Sequence, residues 1–183
     1  NQLVEDLPEE HFVTAFFGVL DTVAHRVDYH AAGQGPLLHF QAATGACRWL
    51  SPTTFPLGFM KFPEIDPPRQ IELAPGDILG LITDGVFERG NPAGTMFGTA
   101  GVEQVLRTRH EGSMSDLLAR LLQAVHVFAD GHPQEDDITI VLLARSGETA
   151  GRTTIQRYFP RSLDALDGIF RFVGDFIAAR SLD

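Results

Sequence analysis

Asp84 and Asp136 are the residues of this chain best placed to carry chemistry, because each stands at one end of an apolar, strand-like run. Asp84 closes the run 78–83 and is followed by Gly85, while Asp136 and Asp137 open the run 138–144. Antiparallel pairing of the two runs would bring these acids to one sheet edge. Oxygen ligands gathered in this way suit hard divalent cations such as Mg²⁺ or Mn²⁺, and a pair of such ions can activate water for phosphoryl transfer. The competing reading is conformational: Asp-Gly is a common turn dipeptide, and an acid before a strand is often a solvated loop end. Serine-nucleophile chemistry finds no support, since the chain has no Gly-x-Ser-x-Gly elbow. A Walker-type phosphate loop is absent too.

The elements that must position these acids read as strands first and helices later. Residues 12–20 are rich in β-branched and aromatic types, Asp21-Thr22 supplies a turn, and 26–31 reads as the return strand of a long hairpin. Residues 37–41 and 47–50 form a second hairpin around Thr44-Gly45, and 70–73 a short strand before the Pro75-Gly76-Asp77 turn. The stretch 51–68 holds five prolines and reads as a loop covering an edge or shaping access to the site. The runs 78–83 and 138–144 are apolar on both alternating faces, the pattern of central strands covered on two sides. Between them, 99–109 reads as a short helix. Residues 115–129 read as a stronger one, with Leu117, Leu118, Leu121, Leu122, Val125 and Phe128 on one stripe and Ser113 or Ser115 as its cap. His132 lies in the polar connection that follows; as a Mg²⁺ or Mn²⁺ ligand it is disfavoured, because those ions prefer oxygen.

Composition excludes other classes of function. The chain has 183 residues, 44% of them hydrophobic, enough to bury one sizeable core. Only 14 Lys and Arg face 24 Asp and Glu, a net charge of −10, and there is no basic run to displace counterions from nucleic acid or to hold an anionic membrane surface. No stretch is long and apolar enough to span a bilayer, and the first residues lack the pattern of a signal peptide. The single Cys47 has no internal disulfide partner, which agrees with a reducing cytoplasm, and reads as a small hydrophobe.

The ordered segments Phe12-Val13-Thr14-Ala15-Phe16-Phe17-Gly18, Ala32-Gly33-Gln34-Gly35-Pro36, Pro56-Leu57-Gly58, Leu73-Ala74-Pro75-Gly76-Asp77, Thr83-Asp84-Gly85-Val86-Phe87-Glu88 and Asp136-Asp137-Ile138-Thr139 together carry a resemblance. They resemble the bacterial PPM-type (PP2C-like) serine/threonine phosphatases of the sporulation and stress-response class, over residues 1–145. The resemblance implies an α+β fold, a layered β-sandwich flanked by helices (α/β/β/α). It also implies that Asp84 and Asp136 are catalytic metal ligands, that Asp137 is a further ligand or an acceptor behind them, and that two Mn²⁺ or Mg²⁺ ions are bound. Gly85 would keep the turn free of a side chain, and Glu88 is either an outer acid of the site or a solvated surface group. The implied substrate is a phosphorylated anti-sigma-factor antagonist protein; the alternative is a non-catalytic binding scaffold on the same fold. The family's earlier Gly-Asp and Asp-x-x-Gly-His-Gly-like elements have no counterpart here, so the fold is expected to be incomplete at its N-terminus. Gln34 stands where many relatives have His, and an amide cannot titrate near neutral pH.

Residues 146–152 are small and polar and read as a linker. Beyond them, 153–159 alternates like a strand, and 162–179 carries a helical stripe capped by Ser162. The segment Phe159-Pro160-Arg161-Ser162-Leu163-Asp164 resembles the opening of the anti-sigma-factor serine kinases of the histidine-kinase-like ATPase fold, without their nucleotide-binding elements, so no ATP binding is expected. The alternatives are a terminal helix docked on the phosphatase domain and a homodimer contact.

Overall fold

The computed structural model describes residues 1–8, 10–108 and 113–146, together with the backbone of 156–157. The expected helix over 162–179 and most of the expected linker and strand therefore lie outside the described residues. In chain order the elements are α1 (Leu3–Asp6), β1 (Ala15–Asp21), β2 (Arg26–Ala32), β3 (Leu37–Gln41), β4 (Ala46–Leu50), β5 (Arg69–Glu72) and β6 (Ile78–Ile82). Then follow α2 (Asp84–Phe87), α3 (Gly98–Arg107), α4 (Met114–Ala129), β7 (Ile140–Ala144) and β8 (Gln156–Arg157). No described helix is long and apolar enough to cross a membrane.

The strands form two antiparallel sheets, one in the order β1-β2-β5 and the other β4-β3-β6-β7-β8. Alternation along the second sheet sorts its side chains between two cores. Leu38, Phe40, Ile78, Ile82, Ile140 and Leu142 pack with Val102, Leu106, Leu117, Leu121 and Val125 of the helices. Leu37, Leu79, Leu81 and Leu143 point the other way, onto Val27, Tyr29, Ala31 and Ile71 of the three-stranded sheet. The result is a helix layer over two stacked sheets, which is the α+β sandwich expected. The outer face of the three-stranded sheet carries Phe17 and Val19, which are 44% and 55% exposed.

The local signals explain most of the boundaries. Asp21 ends β1 by accepting hydrogen bonds from the backbone N–H groups of Val23 and Ala24, which closes the first hairpin and holds the carboxyl below its ordinary pKa. Of the two candidate serines, Ser115 lies inside the first turn of α4 and Ser113 is the cap: it accepts from Asp116 N while the Asp116 side chain accepts from Ser113 N, a reciprocal capping box. Several boundaries differ from expectation, β1 beginning at Ala15 instead of residue 12. Asp84 does not close a strand but opens the single turn α2, and Ile138 and Thr139 precede β7, which begins at Ile140. Of the expected strand 153–159, the two described residues pair with β7 at Val141 and Leu142.

Candidate metal centre

The register of β6 and β7 decides where the acids meet. Ile82 pairs with Ile140 and Ile78 with Ala144, so the end of β6 that runs into Asp84 lies beside the end of β7 that follows Asp136 and Asp137. Past the last strand pair the two segments stay joined through Thr83. Its backbone N–H donates to Thr139 O at 3.1 Å, and its Oγ1 accepts from Thr139 N at 2.9 Å. The same hydroxyl lies 3.2 Å from Asp137 O, to which it donates.

Gly85 completes this junction. A Cβ at that position would stand 2.3 Å from Asp137 O and 3.3 Å from Asp136 O, so only glycine lets the first turn of α2 lie against the 136–137 backbone. The group that the bare Gly85 makes way for is this backbone.

The carboxylates face outward from the junction. Asp84, Asp136 and Asp137 are exposed. Asp84 Oδ1 accepts from Gly85 N at 3.0 Å and Asp136 Oδ1 accepts from Asp137 N at 2.7 Å, which fixes each side chain against its own turn. Gln134 reinforces the loop by donating to Asp136 O at 2.8 Å. Glu88, at the end of α2, shares with Gly85, Arg89 and Asp136 the lining of a cavity of about 100 Å³. That places Glu88 beside Asp136 while leaving it exposed.

Arg89 was not singled out in the sequence. Arg89 donates both terminal guanidinium nitrogens to the backbone, Nη1 to Pro133 O and Nη2 to His132 O, and so clamps the loop leading to Asp136. An Arg one residue after Glu88 is the only signal, and its partners are carbonyls, which sequence does not display. His132 has Nδ1 3.2 Å from Pro133 O and gives its carbonyl to Arg89; it belongs to the clamp. Gln34 acts as a donor, with Nε2 3.4 Å from Ile82 O, directly before Thr83.

Among the described residues no group of three or more His, Cys, Asp or Glu could hold a metal ion. The donors present are carboxylates, open to solvent and anchored by backbone. They fit a hard divalent cation in type, because Mg²⁺ is commonly held by one or two carboxylates with water completing its shell.

An antiparallel sandwich with helices packed on one sheet and acids at the junction of two adjacent central strands defines the class as a PP2C-like phosphatase domain. Residues 1–146 match the family described as Stage II sporulation protein E, and the chain belongs to it. Among similar proteins, Protein IcfG of Synechocystis is 28% identical over 144 residues, which are 74% of this chain and 21% of that protein. The chain thus spans about a fifth of that relative. The SiaA-PP2C domain of Pseudomonas aeruginosa superposes with a TM-score of 0.64 at 22% identity, covering 80% of this chain and 56% of that one. The phosphatase domain of SpoIIE from Bacillus subtilis gives 0.56 at 16% identity, over 76% of this chain and 59% of that one. The RsbU and RsbW domains of Rv1364c from Mycobacterium tuberculosis give 0.56 at 19% identity, covering all (100%) of this chain and 49% of that one. At these identities the solved structures establish the fold.

Proposed function

We propose that the protein is a metal-dependent phosphatase that hydrolyses phosphoserine or phosphothreonine on a regulatory protein. The observation that carries this reading is the β6–β7 junction, where Thr83 and Gly85 hold the Asp84 turn against the backbone of Asp136 and Asp137. Such close tying of two acid-bearing loops is more than a solvated turn requires. Asp84 and Asp136 would hold Mn²⁺ or Mg²⁺, with Asp137 as a further ligand or an acceptor behind them. Bound divalent ions supply a water of lowered pKa and a clamp on the phosphate oxygens. The chain's own part is to fix the carboxylates through the Gly85 and Asp137 amides and to keep them open to solvent and substrate. Glu88 would accept hydrogen bonds from water around the site.

The substrate class is a phosphorylated anti-sigma-factor antagonist, whose dephosphorylation would let it capture its anti-sigma partner in the cytoplasm. Similarity to a structure of RsbU and RsbW domains supports a partner-switching role. It also supports a division into a phosphatase part at 1–145, a linker at 146–152 and the start of a kinase-like domain at 153–183. The second reading, a binding scaffold without turnover, draws on the absence of a three-ligand cluster among the described residues.

The test is Mn²⁺-dependent release of phosphate from a serine-phosphorylated antagonist by the full-length protein and its Asp84→Asn variant. Turnover that needs Mn²⁺ and is lost in the variant supports the phosphatase. Partner binding without turnover supports the scaffold and sinks the enzyme.

A further inference from the structure

The layer between the two sheets changes character along its length. At the end nearer Asp84 the second sheet turns Leu37, Leu50, Leu79 and Leu143 toward this layer, an ordinary apolar sandwich core. Two residues further along the same strands, the same face carries His39, Arg48, Asp77 and Arg145. His39 and Arg48 are cross-strand partners. Inward positions of a sandwich are apolar by default, so a charged half marks a place where packing has been given up for something else.

These residues line a cleft of about 640 Å³ between the sheets, closed on its other side by β2 and β5. Its floor is rigid. Asp77 is 3% exposed and accepts from Ala42 N at 2.9 Å and Ala74 N at 3.1 Å, with His39 Nε2 3.0 Å away. Both Asp77 oxygens therefore have partners within the protein. Arg145 is anchored by donating Nη1 to Leu73 O at 2.8 Å. Arg48 and Arg69 are exposed at the mouth, and neither guanidinium has a partner among the described residues. Tyr29 is 2% exposed and lines the cleft, and its hydroxyl has no hydrogen-bond partner among the described residues. Burial raises the Tyr29 pKa, against the opposing pull of Arg69, so the phenol stays a neutral donor. The hydroxyl itself reaches the open cleft, where it can donate to a bound group.

The charge count selects the ligand. Three guanidinium groups outnumber the two acids that line the cleft, Glu72 and Asp77, in a chain whose net charge is −10. The excess of cations selects an anionic ligand, and a phosphate has enough oxygens to accept from several guanidinium groups at once. The volume exceeds what a bare phosphate needs and lies in the range of small-molecule pockets. We propose that this cleft binds a small phosphorylated organic molecule, with the phosphate held by Arg48, Arg69 and Arg145 and the Tyr29 hydroxyl donating to it. The cleft lies at the opposite end of β6 from Asp84, about 20 Å away at the rise of a strand, so the site is separate from the carboxylate edge. β6 joins the two, with Asp77 before its first residue and Asp84 just past its last.

The test is a titration followed by thermal unfolding and calorimetry, with EDTA present so that phosphate cannot be held through divalent ions. The probes are a sugar monophosphate, inorganic phosphate and the unphosphorylated sugar. The sugar phosphate is expected to raise the unfolding midpoint of the wild type and of Asp84→Asn alike. The Arg48→Met/Arg69→Met double variant, whose two side chains are exposed and unpaired and so dispensable for folding, is expected to lose the effect. Tyr29→Phe, which keeps the ring stacked on Phe16, is expected to weaken binding about tenfold. Arg107→Met, in α3 and outside the cleft lining, serves as the control and keeps full binding. The proposal is overturned if the sugar phosphate has no effect at millimolar concentration, or if the effect survives in the double arginine variant. It is also overturned if the effect vanishes in Asp84→Asn, or if inorganic phosphate matches the sugar phosphate, which would reduce the site to an unspecific anion sink. None of these outcomes depends on phosphatase activity.

Discussion

Gly85 and Asp137 approach so closely that the Cβ of any other residue at position 85 would lie 2.3 Å from the Asp137 carbonyl oxygen. Because the obstacle is backbone, no rotamer change relieves it. Gly85→Ala is expected to push the Asp84 turn away from the 136–137 segment and to destabilise the fold by about 1–3 kcal/mol, the usual range for overpacking. Thermal unfolding measures the cost. If the proposed phosphatase reading holds, turnover falls much further than stability, because the Asp84 and Asp136 carboxylates move relative to each other.

Thr83 makes the complementary prediction. Its hydroxyl accepts from Thr139 N and donates to Asp137 O, so one oxygen holds both strands of the junction. Thr83→Val keeps the shape and removes those bonds. The Thr139 amide is then left without its 2.9 Å acceptor, at a cost of about 1–3 kcal/mol. Thr83→Ser retains the hydroxyl and is expected to stay within about 1 kcal/mol of wild type. Chemical denaturation of the two variants separates the hydroxyl from the methyl; equal losses would show that packing, not hydrogen bonding, holds the junction.

The strands were legible because long alternating or apolar runs ended at turn residues. The hairpins at Asp21-Thr22 and Thr44-Gly45 and the pairing of β6 with β7 followed directly from that pattern. Asp84 was legible as the end of an apolar run but not as the first residue of a helix, since the four residues of α2 are too few to show a 3.6-residue period. The Arg89 clamp was hidden because its acceptors are the carbonyls of His132 and Pro133. The polar half of the inter-sheet layer was hidden for another reason. His39 and Arg48 face each other across one hairpin but Arg145 lies far along the chain, and only the pairings among β3, β4, β6 and β7 place all three on one inward face.

Asp77 is the buried acid on which the floor of that layer depends. It takes two backbone N–H groups and faces His39, and both side chains are almost fully buried. Asp77→Ala strands all three partners, and the expected loss is about 3–5 kcal/mol, the range for breaking a buried pair by removing one member. Asp77→Asn keeps an acceptor and is expected to cost less. A urea titration that found Asp77→Ala within experimental error of wild type would mean that water replaces the carboxylate freely, and the floor would then not be rigid.

The start of α4 gives a pH dependence with a definite sign. Asp116 accepts from the backbone N–H and the hydroxyl of Ser113, and these bonds hold its carboxyl below the ordinary value of 3.8. A lowered folded-state pKa means that the ionised form is favoured by folding, so the contribution is complete above the unfolded value and disappears as pH falls through the folded one. Asp21 is lowered in the same direction by Ala24 N and Val23 N, and it adds to the same acid limb. Asp116→Asn is therefore expected to flatten the fall in stability below about pH 4 while lowering stability at neutral pH. Ser113→Ala, which removes the cap hydroxyl, is expected to cost about 1 kcal/mol at neutral pH. Thermal midpoints of wild type and the two variants between pH 2 and pH 7, a range spanning the ordinary carboxylate values, check this. An Asp116→Asn difference from wild type that stayed constant across the acid range would remove Asp116 as a source of the pH dependence.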